Sequence, residues 1–114
     1  MKNKRKYKRW HLSKPLKIID RESGRHIGNI TDITIAGLGM ISKYPLISNI
    51  TLQLKIDLSE ESLPISDIEL EGKDVWCEEN EIMERYNAGI EFENINGEIE
   101  KKIKQLIERF GFIK

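Results

Sequence analysis

Long apolar runs are missing from this chain. Nothing in it approaches the ~18 consecutive apolar residues that a membrane-spanning helix needs. Cysteine is nearly absent: Cys77 stands alone among 114 residues. No internal disulfide can form, and a reducing, cytoplasmic setting is expected. His11, His26 and Cys77 fit no familiar zinc spacing, so no metal site is expected. The basic opening, Met1 to Lys6, has no apolar stretch behind it and does not read as a secretory signal. Neither end carries a lipidation motif. No glycine-rich turn opens onto a helix, so the phosphate cradles of nucleotide hydrolases are lacking. No Ser/His/acid arrangement stands out, and neither a catalytic residue nor a cofactor is expected. The chain does not read as an enzyme.

What is present is the composition of one globular domain, 39% hydrophobic and 33% charged. The formal net charge is zero, with 19 basic and 19 acidic residues. It is unevenly spread. Residues 1–19 hold eight lysines and arginines and no acid, which leaves 11 basic and 19 acidic residues for the rest. A head of +8 on a body of −8 meets an anion, docks on the acidic body, or is a solvated end.

Residues 1–14 show no apolar period and read as an extended, mobile basic segment, and residues 15–114 read as the folded domain. Strands are expected at Leu16–Asp20, His26–Thr34, Leu38–Ile41, Ile50–Leu58, Ile68–Cys77 and Met83–Phe92, with polar turns at Glu22–Arg25, Ser59–Pro64 and Glu78–Glu81. Apolar and polar residues alternate unbroken from Ile50 to Leu58. Gly28 marks a bulge or a close backbone approach, and Gly72 permits a bulge. Glu69, Glu71, Glu91 and Glu93 alternate with apolar residues and read as a solvated strand face. Cys77 reads as packing in the core or barrel wall. The period then changes. Ile99, Ile103, Leu106, Ile107 and Phe110 fall on one helical face over about 97–110, with Asn96 or Gly97 as the cap and Gly111 at the C′ position. The fold class is mainly β: about six antiparallel strands in a small barrel or sandwich, plus a C-terminal amphipathic helix. The helix face can pack internally or on a second chain, so monomer and homodimer both stand.

Two short patterns carry the functional reading. Arg5 and Arg9 place two guanidiniums four residues apart on an extended segment. Asp32, Thr34 and Gly37 place a carboxylate, a hydroxyl and a glycine at a strand-to-strand break. Together they resemble the R-x-x-x-R and [D/N]-x-S-x-x-G motifs of the PilZ domain family, with Thr34 where that family usually has serine. Pro15-Leu-Lys-Ile18, Leu38-Gly-Met40, Gly72-Lys-Asp-Val-Trp76 and Tyr86-Asn-Ala-Gly-Ile-Glu-Phe92 extend the resemblance over nearly the whole chain. It implies a six-stranded antiparallel PilZ-type β-barrel with a C-terminal helix, and a receptor for the bacterial second messenger cyclic di-GMP. On that resemblance the ligand-binding residues are Arg5, Arg9, Asp32, Thr34 and Gly37, with Lys4 and Lys6 beside them. Lys4 precedes R-x-x-x-R, where a basic residue in the family goes with a stacked pair of ligands.

The chemistry suits these residue types. A guanidinium fork matches N7 and O6 of guanine, or a phosphate. Asp32 can accept from the guanine N1–H and N2–H2 donors, which adenine lacks. The structural alternative is that Asp32 and Thr34 build a local turn and that Gly37 supplies positive φ. The function expected is a single-domain receptor or adaptor whose basic head moves onto the barrel with ligand and signals to a downstream protein. The competing functions are a ligand-independent interaction module and a nucleic-acid binder with a basic tail. The acidic body counts against the last.

Overall fold

The computed structural model describes residues 7–61 and 66–113. Arg5, Lys4 and Lys6 therefore lie outside the described residues. Six strands carry the fold: β1 (Trp10–Asp20), β2 (His26–Ile33), β3 (Gly37–Ser42), β4 (Thr51–Asp57), β5 (Ile68–Asn80) and β6 (Arg85–Glu93). They pair antiparallel in the order β2-β3-β6-β5-β4-β1, and β1 also pairs with β2, which closes a six-stranded ring. Helix α1 (Gly97–Phe110) follows, then a two-residue strand, β7 (Gly111–Phe112), on the outer flank of β1.

Alternation decides which side chains fill the ring. Inward positions on each strand are apolar: Ile18, Ile30, Met40, Leu54, Ile56, Ile68 and Ile90 are all at most 2% exposed. Ile103, Leu106, Ile107 and Phe110 bury the apolar stripe of α1, and the helix packs mainly on β1 and β5. Asn96 caps the helix, its Oδ1 accepting from Ile99 N–H at 2.8 Å. Glu98 and Glu100 in the first turn and Arg109 in the last complement the helix dipole.

Four expectations are corrected. β1 starts at Trp10, not Leu16. Trp10 pairs with Ile33 and His11 with Asp32; pairing with β2 then lapses until Leu16. Pro15, which has no N–H to give, lies in that lapse. The last hairpin turn falls at residues 81–84 because β5 runs on to Asn80 and pairs there with Arg85. Gly72 is not a bulge but sits opposite Leu52 and Phe92, where a Cβ would press on Ile90. The bulge falls at Val75. Gly111 is extended (φ −83°), not left-handed. It leads directly into β7, and a Cβ there would lie 2.6 Å from the Ile107 carbonyl oxygen.

The paired acids are less solvated than alternation suggests. Glu69 and Glu91 are exposed, whereas Glu71 and Glu93 are half-buried. Hydrogen bonds from Asn94 and Gln53 hold the Glu71 carboxyl below its usual range. A bond from Thr51 does the same for Glu93. Part of the basic head meets the acidic body: Lys14 pairs with Glu61 at 2.9 Å and Lys17 with Glu60 at 3.3 Å. Cys77 is half-buried against the core.

Among the described residues Ser42 and Asp74 are the polar exceptions, and Asp74 is the ionisable one. It is 0% exposed, and its Oδ1 has no hydrogen-bond partner. Oδ2 accepts from Ser48 Oγ at 3.3 Å. Burial pushes its carboxyl up, against the smaller pull of the Ser48 bond. A raised acid favours folding while protonated and costs stability as pH climbs past its ordinary range. An asparagine at this position mimics the protonated form. The stability of Asp74→Asn relative to wild type is therefore expected to improve from about pH 4 to about pH 7, measured by urea unfolding at each pH. A constant difference would show that folding leaves the Asp74 carboxyl unshifted.

Candidate functional site

The outer face of β2, β3 and β6 carries a cleft of about 320 Å3. Its floor comes from glycine. Gly39 on β3 lies directly opposite Gly89 on β6, so two adjacent positions offer backbone without side chain. Each is roofed from the side. A Cβ on Gly39 would run into Asp32 Oδ1, and a Cβ on Gly89 would run into the Trp76 indole. A carboxylate and an aromatic ring thus lie on neighbouring patches of bare strand.

Asp32 is held there by two donors. Arg9 Nε donates to Asp32 Oδ2 at 2.9 Å, and Thr31 Oγ1 donates to Oδ1 at 2.9 Å. Asp32 is 17% exposed and Arg9 44%, so the pair stands at the cleft rim with the guanidinium partly in solvent. β1 makes the meeting possible: the Trp10–Ile33 and His11–Asp32 pairing sets the residue before Trp10 beside the end of β2.

Thr34 and Gly37 build the β2–β3 turn. Thr34 Oγ1 accepts from Ala36 N–H at 2.9 Å and from Gly37 N–H at 3.1 Å. Thr34 N–H donates to the Gly37 carbonyl at 2.8 Å. The turn alternative holds for the threonine hydroxyl. It does not hold for the glycine, because Gly24 is the one glycine with positive φ among the described residues. Gly37 is needed for close approach: a Cβ would overlap the Ile90 carbonyl oxygen.

Trp76 is the residue that motif reading did not assign to the site. The bulge at Val75 puts two successive residues on the outside, Val75 at 48% and Trp76 at 47% exposure. Adjacent apolar residues after the buried Asp74 were the available signal. Gly39 and Gly89 were also missed; each looks ordinary alone and acquires meaning only from the β3–β6 register. Of the expected site residues, the fold brings Arg9, Asp32, Thr34 and Gly37 to one cleft. His11 lies away from it, its ring 5.9 Å from that of Phe112. His26 begins β2 at the other end. Among the described residues, no helix is long and apolar enough to cross a membrane, and no three His, Cys, Asp or Glu side chains gather as a metal site.

A closed six-stranded ring, a helix packed against it, and a rim that carries Arg9 and the D-x-T-x-x-G residues define a recognisable class. The family model for the PilZ domain matches residues 3–109, and the chain belongs to that family. Solved structures agree on the fold. The PilZ domain of YcgR from Escherichia coli, solved with c-di-GMP, superposes with TM-score 0.72 at 12% identity, covering 94% of this chain and 91% of that one. The Bacillus subtilis inhibitor of motility MotI/DgrA gives 0.71 at 20% identity, covering 95% and 52%. The K. pneumonia MrkH–c-di-GMP complex gives 0.73 at 15% identity, covering 94% and 52%. The chain thus spans about half the length of the latter two. No curated protein matches it.

Proposed function

We propose that this chain binds cyclic di-GMP in the cleft between Arg9, Asp32 and Trp76, and passes the event to a protein partner through its basic N-terminal segment. The observation that carries the reading is the Arg9–Asp32 pair, poised over side-chain-free strand next to an indole. Each group has a complement on a guanine nucleotide. Asp32 accepts from N1–H and N2–H2. A guanidinium offers a fork to O6/N7 or to phosphate. Trp76 offers a face on which a base can stack. YcgR and MrkH, both solved with c-di-GMP, share the fold and support the ligand class.

Energetics favour a short-range rearrangement. Ordering a free ten-residue segment would cost ~10–20 kcal/mol at ~1–2 per residue. Here β1 already holds Trp10 and His11, and Arg9 is already at the rim. In our mechanism guanine takes over Asp32, the Arg9 fork turns to the ligand, and residues preceding Tyr7, Arg5 among them, close over it. The segment's new surface is what the partner reads. Lys4 and Lys6 add charge toward the phosphates.

Calorimetric titration with cyclic di-GMP and cyclic di-AMP tests the reading. Micromolar or tighter binding of the first and at least 100-fold weaker binding of the second is expected, because adenine lacks the paired N1–H and N2–H2 donors that Asp32 would accept. Absence of heat at high micromolar cyclic di-GMP would favour the ligand-independent module. Trp76 provides a second readout. Its fluorescence is expected to change on saturation, and Trp76→Ala to weaken binding about 10-fold through lost stacking of ~1–3 kcal/mol. An unchanged affinity in that variant would remove the indole from the site.

A further inference from the structure

The same three strands carry a second concavity at their other end, about 520 Å3 in volume. It lies between the start of β2, the end of β3 and the start of β6. Gly39 and Lys43 are four residues apart, so the two clefts are separated by roughly 13 Å along β3.

Its lining is cationic. Arg25 reaches it from the β1–β2 turn, Lys43 from the end of β3 and Arg85 from the start of β6. Among the described residues, no aspartate or glutamate lines it. Arg9, Lys14, Lys17, Arg21, Lys55 and Lys73 each have a carboxylate within 4.0 Å, whereas among the described residues Arg25, Lys43 and Arg85, like Lys8 and the basic residues of α1, have none; what sets these three apart is that they gather around one hollow. The nearest acids in sequence are otherwise employed or unengaged. Glu22 is exposed and makes no ion pair among the described residues, Asp20 accepts from Ser23 Oγ and from Glu22 N–H within the turn, and Glu84 offers Arg85 only its backbone carbonyl, at 3.0 Å. On a body with excess acid, three cations from separate elements around one acid-free hollow leave an uncompensated positive potential.

Two further groups shape the hollow. His26 directs Nε2 at the Gly28 carbonyl and at Asn29 Oδ1, both at 2.9 Å. Nε2 therefore donates, and the ring adds no negative group. Tyr44 is 62% exposed at the mouth, with Lys43 Nζ 5.7 Å from its ring centroid.

We propose that this hollow is an anion site for a small polyphosphorylated molecule of the nucleoside polyphosphate class, separate from the Asp32 cleft. Two arginines supply forks that match phosphate oxygens, and Lys43 a mobile point charge. The volume falls in the range of small-molecule pockets. The Tyr44 ring gives the base a face. This site does not depend on what fills the Asp32 cleft.

The test uses the full chain, labelled for amide NMR, in about 0.15 M salt so that long-range attraction is screened. Inorganic tripolyphosphate is expected to shift Ile41, Ser42, Tyr44 and Arg85 while leaving Gly39 and Gly89 unchanged. Arg85→Gln is expected to weaken it at least 10-fold, and Arg25→Gln/Lys43→Gln/Arg85→Gln to abolish it with the remaining spectrum intact. Cyclic di-GMP heat is expected to be unchanged in the triple variant, so failure of one site is distinguishable from failure of the other. GTP binding more tightly than tripolyphosphate, with the gain lost in Tyr44→Ala, assigns the base to Tyr44. No shifts in the hollow, or shifts that persist in the triple variant, overturn the proposal, as does a gain for GTP that survives Tyr44→Ala.

Discussion

Arg9→Ala is expected to weaken cyclic di-GMP about 100-fold in a calorimetric titration while leaving the barrel as stable as before. The two halves of that statement come from different physics. Arg9 and Asp32 form an ion pair with the guanidinium 44% exposed. Pairs of that kind contribute ~0–1 kcal/mol to folding. Thr31 remains to satisfy one Asp32 oxygen. Against ligand, the same fork can make two charge-assisted bonds in a drier setting, each worth ~1.5–3 kcal/mol. Arg9→Lys keeps the charge and loses the fork, so an intermediate loss near 10-fold is expected. An Arg9→Ala affinity within threefold of wild type would place the ligand elsewhere.

Gly37→Ala is expected to damage folding first and binding as a consequence. Gly37 pairs with Glu91 at the start of β3. A Cβ there meets the Ile90 carbonyl oxygen, with Glu91 Cα at 3.4 Å behind it. Backbone cannot rotate away as a side chain can. Ile90 is paired to Leu38 on one side and to Asp74 on the other. Relief requires β3 to part from β6, which puts the Phe92 N–H to Ala36 carbonyl bond (2.9 Å) at risk. Overpacking of this kind costs ~1–3 kcal/mol, and the melting temperature is expected to fall by about 5–15 °C. Asp32 and Thr34 shift with the turn, so binding falls too. A variant with unchanged melting temperature and lost binding would mean that the glycine makes room for ligand rather than for β6.

How much of this was legible in the sequence differs by element. β4 and α1 were plain because their periods are local: Leu54 and Ile56 alternate with polar residues, and Ile103, Leu106 and Phe110 return at helical spacing. The start of β1 was not, because Trp10 joins the sheet through backbone bonds to Ile33 that no side-chain period encodes. Glu78 and Glu79 read as turn residues because they are polar, yet the hairpin continues through both. At the site, Asp32, Thr34 and Gly37 were readable as neighbours in one turn. Trp76 was not, since its outward direction follows from an extra residue at Val75, and the bare floor follows from the register that sets Gly39 against Gly89.

β1 is in effect two strands in series. Its second half, from Leu16 onward, joins β2 and β4 and completes the ring. Its first half holds only to Ile33 and Asp32 on one side and to β7 on the other. Detaching that first half breaks a handful of hydrogen bonds and lifts Trp10 and Leu12 from the edge of the core, while the ring pairing from Leu16 onward stays intact. Such partial openings lie far below the global unfolding free energy. The arm bearing Arg9 can therefore exchange between attached and released positions many times during the life of one folded barrel, and because β7 shares its hydrogen bonds, the end of α1 feels each exchange.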